Sequence, residues 1–276
     1  MANLSFNFRR QPRVVEVLGN CRIHEGVMFS HIEQFDGSTH IQPCRFCQWE
    51  ALNVSPPGSE PRAVALAQLE AERLNVRLVA SGITPRFIGS TFENYQAEGG
   101  SLAERVRVKC QAYADHFETH YADGRSLILS GNVGTGKTHL ASSIVQTVIR
   151  KHGAEALIIS VSELVRVAKG TMSKGSTYTD RDVIEELANV DLLVIDEIGA
   201  QKGSDYELGL IHEVIDRRYQ LVVPTVVVSN LPVDKAADAP LGTDIKGFIG
   251  PRALDRLRQN GGQLIGFTWE SARASV

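Results

Sequence analysis

Two groups of residues in this 276-residue chain have types and spacings that do chemistry. The first is "GNVGTGKT", Gly131 to Thr138, which matches G-x-x-x-x-G-K-[ST] at every fixed position. Such a loop binds phosphate. Gly134 and Gly136 let the backbone curl until successive N–H groups point inward, and a following helix adds the partial positive charge of its amino end. Lys137 then reaches the β and γ phosphates of ATP, and the Thr138 hydroxyl ligates Mg²⁺. Asn132, Val133, Thr135 and His139 complete the segment expected around the nucleotide. Its counterpart is "DLLVIDEIGAQ", where the apolar run from Leu192 to Ile195 makes a buried strand. Asp196 emerges at the carboxyl end of that strand to hold Mg²⁺ through water, and Glu197 is placed to polarise the attacking water. A switch-type GTPase carries an Asn-Lys-x-Asp motif, and this chain has none, so ATP hydrolysis is the expected reaction. Asn230 ends "TVVVSN", where it can reach a γ-phosphate or the lytic water; an Asn after a strand is also an ordinary turn former.

The second group lies near the front. Cys21 and His24 stand in Cys-x-x-His, Cys44 and Cys47 in Cys-x-x-Cys, with 19 residues between His24 and Cys44. This is zinc-ribbon spacing, since each x-x turn presents two ligands to one metal. Gly26 after the first pair and Pro43 before the second suit tight metal knuckles. Three thiolates and an imidazole close four positions, so the zinc would be structural. His31 and His40 lie between the pairs as alternative ligands. A redox pair is disfavoured because Cys44-x-x-Cys47 is not expected to start a helix after a strand; ordinary buried thiols are the third possibility. Cys110 reads as a core residue of a helix around 101–120.

These residues need elements to hold them. The strongest punctuation is "SPPGSEP", residues 55–61, which continues neither a helix nor a central strand. Before it lies a zinc-ribbon-like adaptor, 1–55. Residues 56–82 are a linker and helix, stopped by Gly82. From 83 to 276, short β-branched runs alternate with helical patterns. The runs are 126–130, 156–161, 191–196, 225–230 and 263–267, and the helices 137–152, 161–170, 180–189 and 205–220. That rhythm predicts an α/β domain, a parallel sheet with helices on both faces. A hydrophobic fraction of 43% and charged fraction of 22% are those of a globular protein. The net charge of −3 excludes a uniformly basic nucleic-acid binder but not a local basic stripe. With no signal peptide and no run of 18 apolar residues, a cytoplasmic protein away from membranes is expected.

"SGITPRF", "FENY", "GNVGTGKTHLA", "NVDLLVIDEIGAQ", "VIDRRY", "SNL", "RALDRL" and "FTWESAR", in this order over about 81–276, resemble the P-loop AAA+ ATPases of the DnaC type. These are helicase loaders, with the transposition helper IstB as close kin. The resemblance implies a sheet in which the strand before Asn230 separates the P-loop and acidic strands. It implies that Arg256 in "GPRALDRL" is an arginine finger for a neighbouring subunit's ATP, with Arg252 facing the same way at i, i+4, and that Arg273 is a candidate second sensor. It places contacts to single-stranded DNA in 163–182, where Lys169 and Lys174 are the favoured cations, beside Arg166, Met172 and Tyr178. It implies loading of the replicative hexameric DNA helicase, docked through the N-terminal domain, by subunits that self-associate on ATP and DNA. Phe29, Ile32, Phe35, Phe46 and Trp49 are the expected exposed docking residues. The kin reading is an IstB-like helper acting on duplex DNA with a transposase. The segment 231–250 is read as a long loop without a role.

Overall fold

The computed structural model describes residues 9–171, 176–200, 204–235, 240 and 242–271, which form two compact units, Arg9–Ser81 and a larger one from Gly82 onward. In the small unit, β1 (Val14–Asn20), β2 (Met28–Glu33) and β3 (Thr39–Gln42) form an antiparallel sheet in that order. α1 (Arg45–Asn53) follows β3 directly, with Cys44 as its N-cap residue. The sequence argument against a redox pair rested on the absence of a strand and helix at this place. The structure has both, so that premise is corrected.

Helix α2 (Glu60–Ala80) starts behind Ser59 with Pro61 in its first turn, where a missing N–H costs nothing. Its buried Asn75 accepts a hydrogen bond from the Phe35 N–H (2.8 Å) and donates to the Glu33 carbonyl (3.2 Å). The helix expected as a link therefore packs as part of the small unit. Phe35, expected on the surface, is buried beside Asn75, whereas Phe46 and Trp49 are exposed and Phe29 and Ile32 half-buried.

In the large unit, α3 (Leu102–Asp115) and α4 (Phe117–Asp123) precede β4 (Leu127–Gly131). Then come α5 (Lys137–His152), β5 (Ala156–Ser160), α6 (Val161–Gly170), α7 (Asp180–Asn189) and β6 (Leu192–Ile198). α8 (Asp205–Gln220), β7 (Thr225–Ser229), α9 (Ile245–Arg258) and β8 (Gln263–Phe267) complete it. The sheet is parallel throughout with order β5-β6-β7-β4-β8, so β7 separates the acidic strand from the P-loop strand as the resemblance implies. β4 and β7 are buried on both faces, as a sheet covered by helices requires. Cys110 is fully buried in α3, and burial pushes its thiol up to about 12.

Two departures stand out. Residues 245–250, read as loop, form the first segment of α9; Asp244 caps it by accepting from the Gly247 N–H, and the helix breaks at Gly250-Pro251, where Gly250 has a φ of 74°. Arg218, in the charged run "DRRY", is completely buried on α8. Its guanidinium donates to the carbonyls of Leu187, Ala188, Val190, Asp191 and Pro224 and to Thr225 Oγ1, at 2.6–3.4 Å. It thereby closes the carboxyl end of α7 and ties the entries of β6 and β7 together, while burial holds its pKa down at about 9. Arg218→Met keeps the volume but strands these carbonyls. It is expected to cost about 2–4 kcal/mol, read as a lower urea midpoint at unchanged slope.

Candidate nucleotide site and metal cluster

The P-loop joins β4 to α5, with Gly136 in the left-handed region (φ 86°) as the residue before the helix. A side chain there is excluded: a Cβ would stand 2.5 Å from Tyr95 Cε2. Tyr95, from "FENY", donates to the Thr135 carbonyl (2.7 Å) and so fixes the loop from outside. On the other side, the Asn132 N–H donates to the Phe267 carbonyl (2.8 Å) and Asn132 Nδ2 to the Trp269 carbonyl (3.1 Å). The loop is thus clamped between "FENY" and the "FTW" after β8, two motifs without an assigned role in the sequence reading.

Lys137 is buried, and its ammonium donates to the carbonyls of Gly131 (3.0 Å) and Asn132. Those groups aim it into the loop. The Thr138 hydroxyl lies near enough to the Asp196 carboxylate to favour its ionised form, so the helix start and the carboxyl end of β6 face each other. Asp196 is 8% exposed, and burial raises its pKa, opposed by the Glu197 N–H (2.7 Å) and the Thr138 hydroxyl. Glu197 is exposed and has φ 63°, a left-handed conformation unusual for a non-glycine residue. Asn230 is exposed and held in place by its neighbours: Ser229 Oγ donates to the Ile198 carbonyl (2.7 Å), and the Leu231 carbonyl accepts from Ser130 Oγ (2.6 Å). The structure therefore gathers Lys137, Thr138, Asp196 and Glu197 at one end of the sheet and places Asn230 between the P-loop strand and the acidic strand. His139 turns outward to the Thr91 carbonyl (2.8 Å), and Val133 is 60% exposed.

Beside the loop lies a cavity of about 490 Å³ lined by Asn94, Tyr95, Thr135, Gly136, His139 and Trp269. Its size is that of a small-ligand site, with aromatic walls suited to a planar ring. Sequence reasoning missed Tyr95 and Trp269 because they lie far from the P-loop in the chain. Their only signal was membership of the motifs "FENY" and "FTW".

Arg256 is not a free finger here. It pairs with Asp216 of α8, and its guanidinium lies over the Tyr219 ring, 5.3 Å from the centroid. Arg252 reaches the same carboxylate at 3.6 Å. In the expected DNA segment, Lys169 is exposed in the last turn of α6, but Arg166 is engaged by Glu163. Tyr178 is half-buried against the core and donates to the Val167 carbonyl (3.3 Å). Lys174, Met172 and Arg273 lie outside the described residues.

In the small unit the ligand atoms of Cys21, His24, Cys44 and Cys47 all lie within 4.8 Å of one another. His24 Nδ1 is 3.8, 3.6 and 3.4 Å from the sulfurs of Cys21, Cys44 and Cys47, and Cys21 Sγ is 3.6 Å from Cys47 Sγ. The edges of a tetrahedron around zinc, with bonds of about 2.0–2.3 Å, are about 3.4–3.8 Å. The donor set fits the ion. The N–H groups of Ile23 and His24 each point at Cys21 Sγ (3.4 Å) and hold that thiol down at about 6. Glu50 takes His24 Nε2 at 3.3 Å, the carboxylate–imidazole contact that leaves Nδ1 for a metal. His31 instead faces Glu16 (3.6 Å), and neither it nor His40 joins the cluster.

Known proteins resemble this chain over most of the large unit. The family model of the IstB-like ATP binding proteins matches residues 90–257. A replicative helicase loader DnaC from Buchnera aphidicola (Schizaphis graminum) is 36% identical over 76% of this chain and 80% of its own. DnaC of Escherichia coli K12 is 33% identical over 79% of this chain and 84% of its own. The chain belongs to the DnaC/IstB family of ATP-binding AAA+ proteins.

The crystal structure of a DnaC helicase loader superposes with a TM-score of 0.55 at 20% identity, over 66% of this chain and 99% of that one. Domain III of the Thermotoga maritima replication initiator DnaA gives 0.51 at 20%, over 68% of each. Both show the shared fold. Among the described residues no helix is long and apolar enough to cross a membrane. In this DnaC/IstB fold the buried Asp196 has a cost. Its raised pKa means that the ionised carboxylate destabilises the ligand-free protein above the unfolded pKa. That penalty fades as pH falls through the folded pKa. Asp196→Asn is therefore expected to stabilise the nucleotide-free protein by about 0.5–2 kcal/mol at neutral pH. The gain in thermal midpoint should shrink toward pH 4.

Proposed function

We propose that this DnaC/IstB-family chain is an ATP-hydrolysing loader that places a replicative DNA helicase on single-stranded DNA at the start of replication. The observation that carries the reading is the meeting of Lys137, Thr138, Asp196 and Glu197 at one end of a sheet ordered as in this family, together with relatives above 30% identity that bear the loader name. Lys137 and the loop N–H groups from Gly131 to Gly136 hold the triphosphate, and the cavity bounded by Tyr95 and Trp269 takes the base. Thr138 and Asp196 hold Mg²⁺, which supplies charge neutralisation at the phosphates. Glu197 orients the attacking water, and Asn230 contacts the γ-phosphate or that water.

Arg256 works in trans. It lines a cavity with Ser126 and Thr225, at the amino ends of β4 and β7, whereas its own P-loop lies beyond the carboxyl end of β4. A five-residue parallel strand is about 16 Å long, too far for Arg256 to serve its own subunit, so a neighbour in an ATP-bound assembly supplies the target. Lys169 and Lys174 contact the DNA backbone. Cys21, His24, Cys44 and Cys47 hold one structural zinc, and residues 1–55 with α2 form the adaptor that docks on the helicase. The exposed Phe46 (44%) and Trp49 (59%) fit that work.

The test is copurification of the full chain, and of a Cys44→Ser/Cys47→Ser variant, with a replicative helicase. Retention by the parent and loss by the variant supports the loader. The IstB match makes a transposase helper the second reading. Binding of duplex DNA and a transposase, with no helicase retained, would replace the loader.

A further inference from the structure

The motif "VIDRRY" carried the family resemblance but no role, and in the structure four of its residues serve three separate contacts. Arg218 turns inward, Arg217 pairs with Glu185 (3.0 Å), and Asp216 with Tyr219 grips Arg256. Asp216 and Tyr219, three residues apart, share one face of α8. Between them they hold the guanidinium from two directions, edge-on by the carboxylate and face-on by the ring. The outcome is an arginine side chain only 17% exposed, although it sits on a helix whose Arg252, one turn away, is 79% exposed. The same carboxylate is 3.6 Å from Arg252, so one acid serves two arginines. Asp216 is itself 27% exposed.

We propose that Asp216 is the positioning residue of the arginine finger, with Tyr219 as the platform and Arg252 as the reserve counter-charge. This rests on the trans role of Arg256. An unrestrained arginine has a rotamer cost to meet each time it engages a phosphate oxygen; a carboxylate and a ring that select its rotamer beforehand remove much of that cost. When Arg256 extends to a neighbour's γ-phosphate, Arg252 takes the Asp216 carboxylate. The half-buried acid is then never left unpaired, which would cost more than the pair is worth. An arrangement of two arginines on one acid permits that exchange, and a single pair does not.

Mixed assemblies test this without confusing it with folding or with the finger itself. Acceptor subunits carry Arg256→Ala and keep an intact nucleotide site. Donor subunits carry Glu197→Gln and keep the finger. Mixing the two on single-stranded DNA restores ATP turnover if Arg256 acts in trans. A donor that also carries Asp216→Asn is expected to restore at least tenfold less, with kcat lowered and the acceptor's KM for ATP unchanged. Asp216→Glu should recover part of it, and each donor is compared at a temperature where its thermal unfolding curve shows it fully folded. Full rescue by the Asp216→Asn donor refutes the positioning role, as does greater rescue, which would make Asp216 a restraint. If the parent donor restores nothing, the trans finger itself fails and this inference goes with it.

Discussion

Glu197→Gln is expected to lower ATP turnover about 10²–10⁴-fold while leaving nucleotide affinity near that of the parent. The change keeps size and hydrogen bonding but removes the negative charge proposed to orient and polarise water. Glu197 is exposed and touches the site through position, since its N–H serves Asp196 while its left-handed φ of 63° throws the side chain off the strand's regular alternation. A non-glycine residue pays about 1–2 kcal/mol to sit there. Glu197→Gly should accordingly be as inactive as the glutamine variant yet no less stable. Single-turnover hydrolysis and binding of a fluorescent ATP analogue separate the effects. Turnover within threefold of the parent in both variants would place the base elsewhere.

Removal of zinc should unfold the small unit and spare the ATP site. Among the described residues of Arg9–Ser81, the buried apolar side chains are Cys21, Phe35, Cys44, Ala65 and Leu78, and two of these five belong to the metal cluster. A core this thin offsets little of the chain entropy of its strands, and the proposed zinc would supply the difference. Structural zinc sites of this kind contribute about 10–16 kcal/mol at neutral pH. One zinc per chain is expected by metal analysis. Chelation should open residues 9–81 to protease and hydrogen exchange while binding of an ATP analogue persists. Protection unchanged after complete chelation would mean that the unit folds without metal.

The parts of the fold visible in the sequence were those with local causes. α5, α6, α7 and α8 coincide with the expected helices because each has a cap or glycine at its start and an unbroken apolar stripe. The five strands agree to within two residues because buried parallel strands are short β-branched runs. What failed had distant causes. Arg218 sits in a charged tetrad and reads as surface, and only carbonyls from α7 and the β7 entry make it a core residue. Phe35 reads as an exposed turn aromatic until Asn75 is brought to it from 40 positions away. The pairing of Arg256 with Asp216, rather than with the adjacent Asp255, was equally invisible along the chain.

The clamp on the P-loop sets an order of events at birth. β4 lies between β7 and β8 in the finished sheet, and the Gly131 backbone packs so closely on Phe267 that a Cβ there would stand 2.2 Å from its carbonyl oxygen. A ribosome adding about 5–20 residues per second delivers residue 267 on the order of ten seconds after residue 131. Through that interval the phosphate loop lacks the carbonyls of Phe267 and Trp269 that hold Asn132, and the cavity beside Tyr95 lacks its Trp269 wall. Tight nucleotide binding is therefore expected only once β8 has joined the sheet.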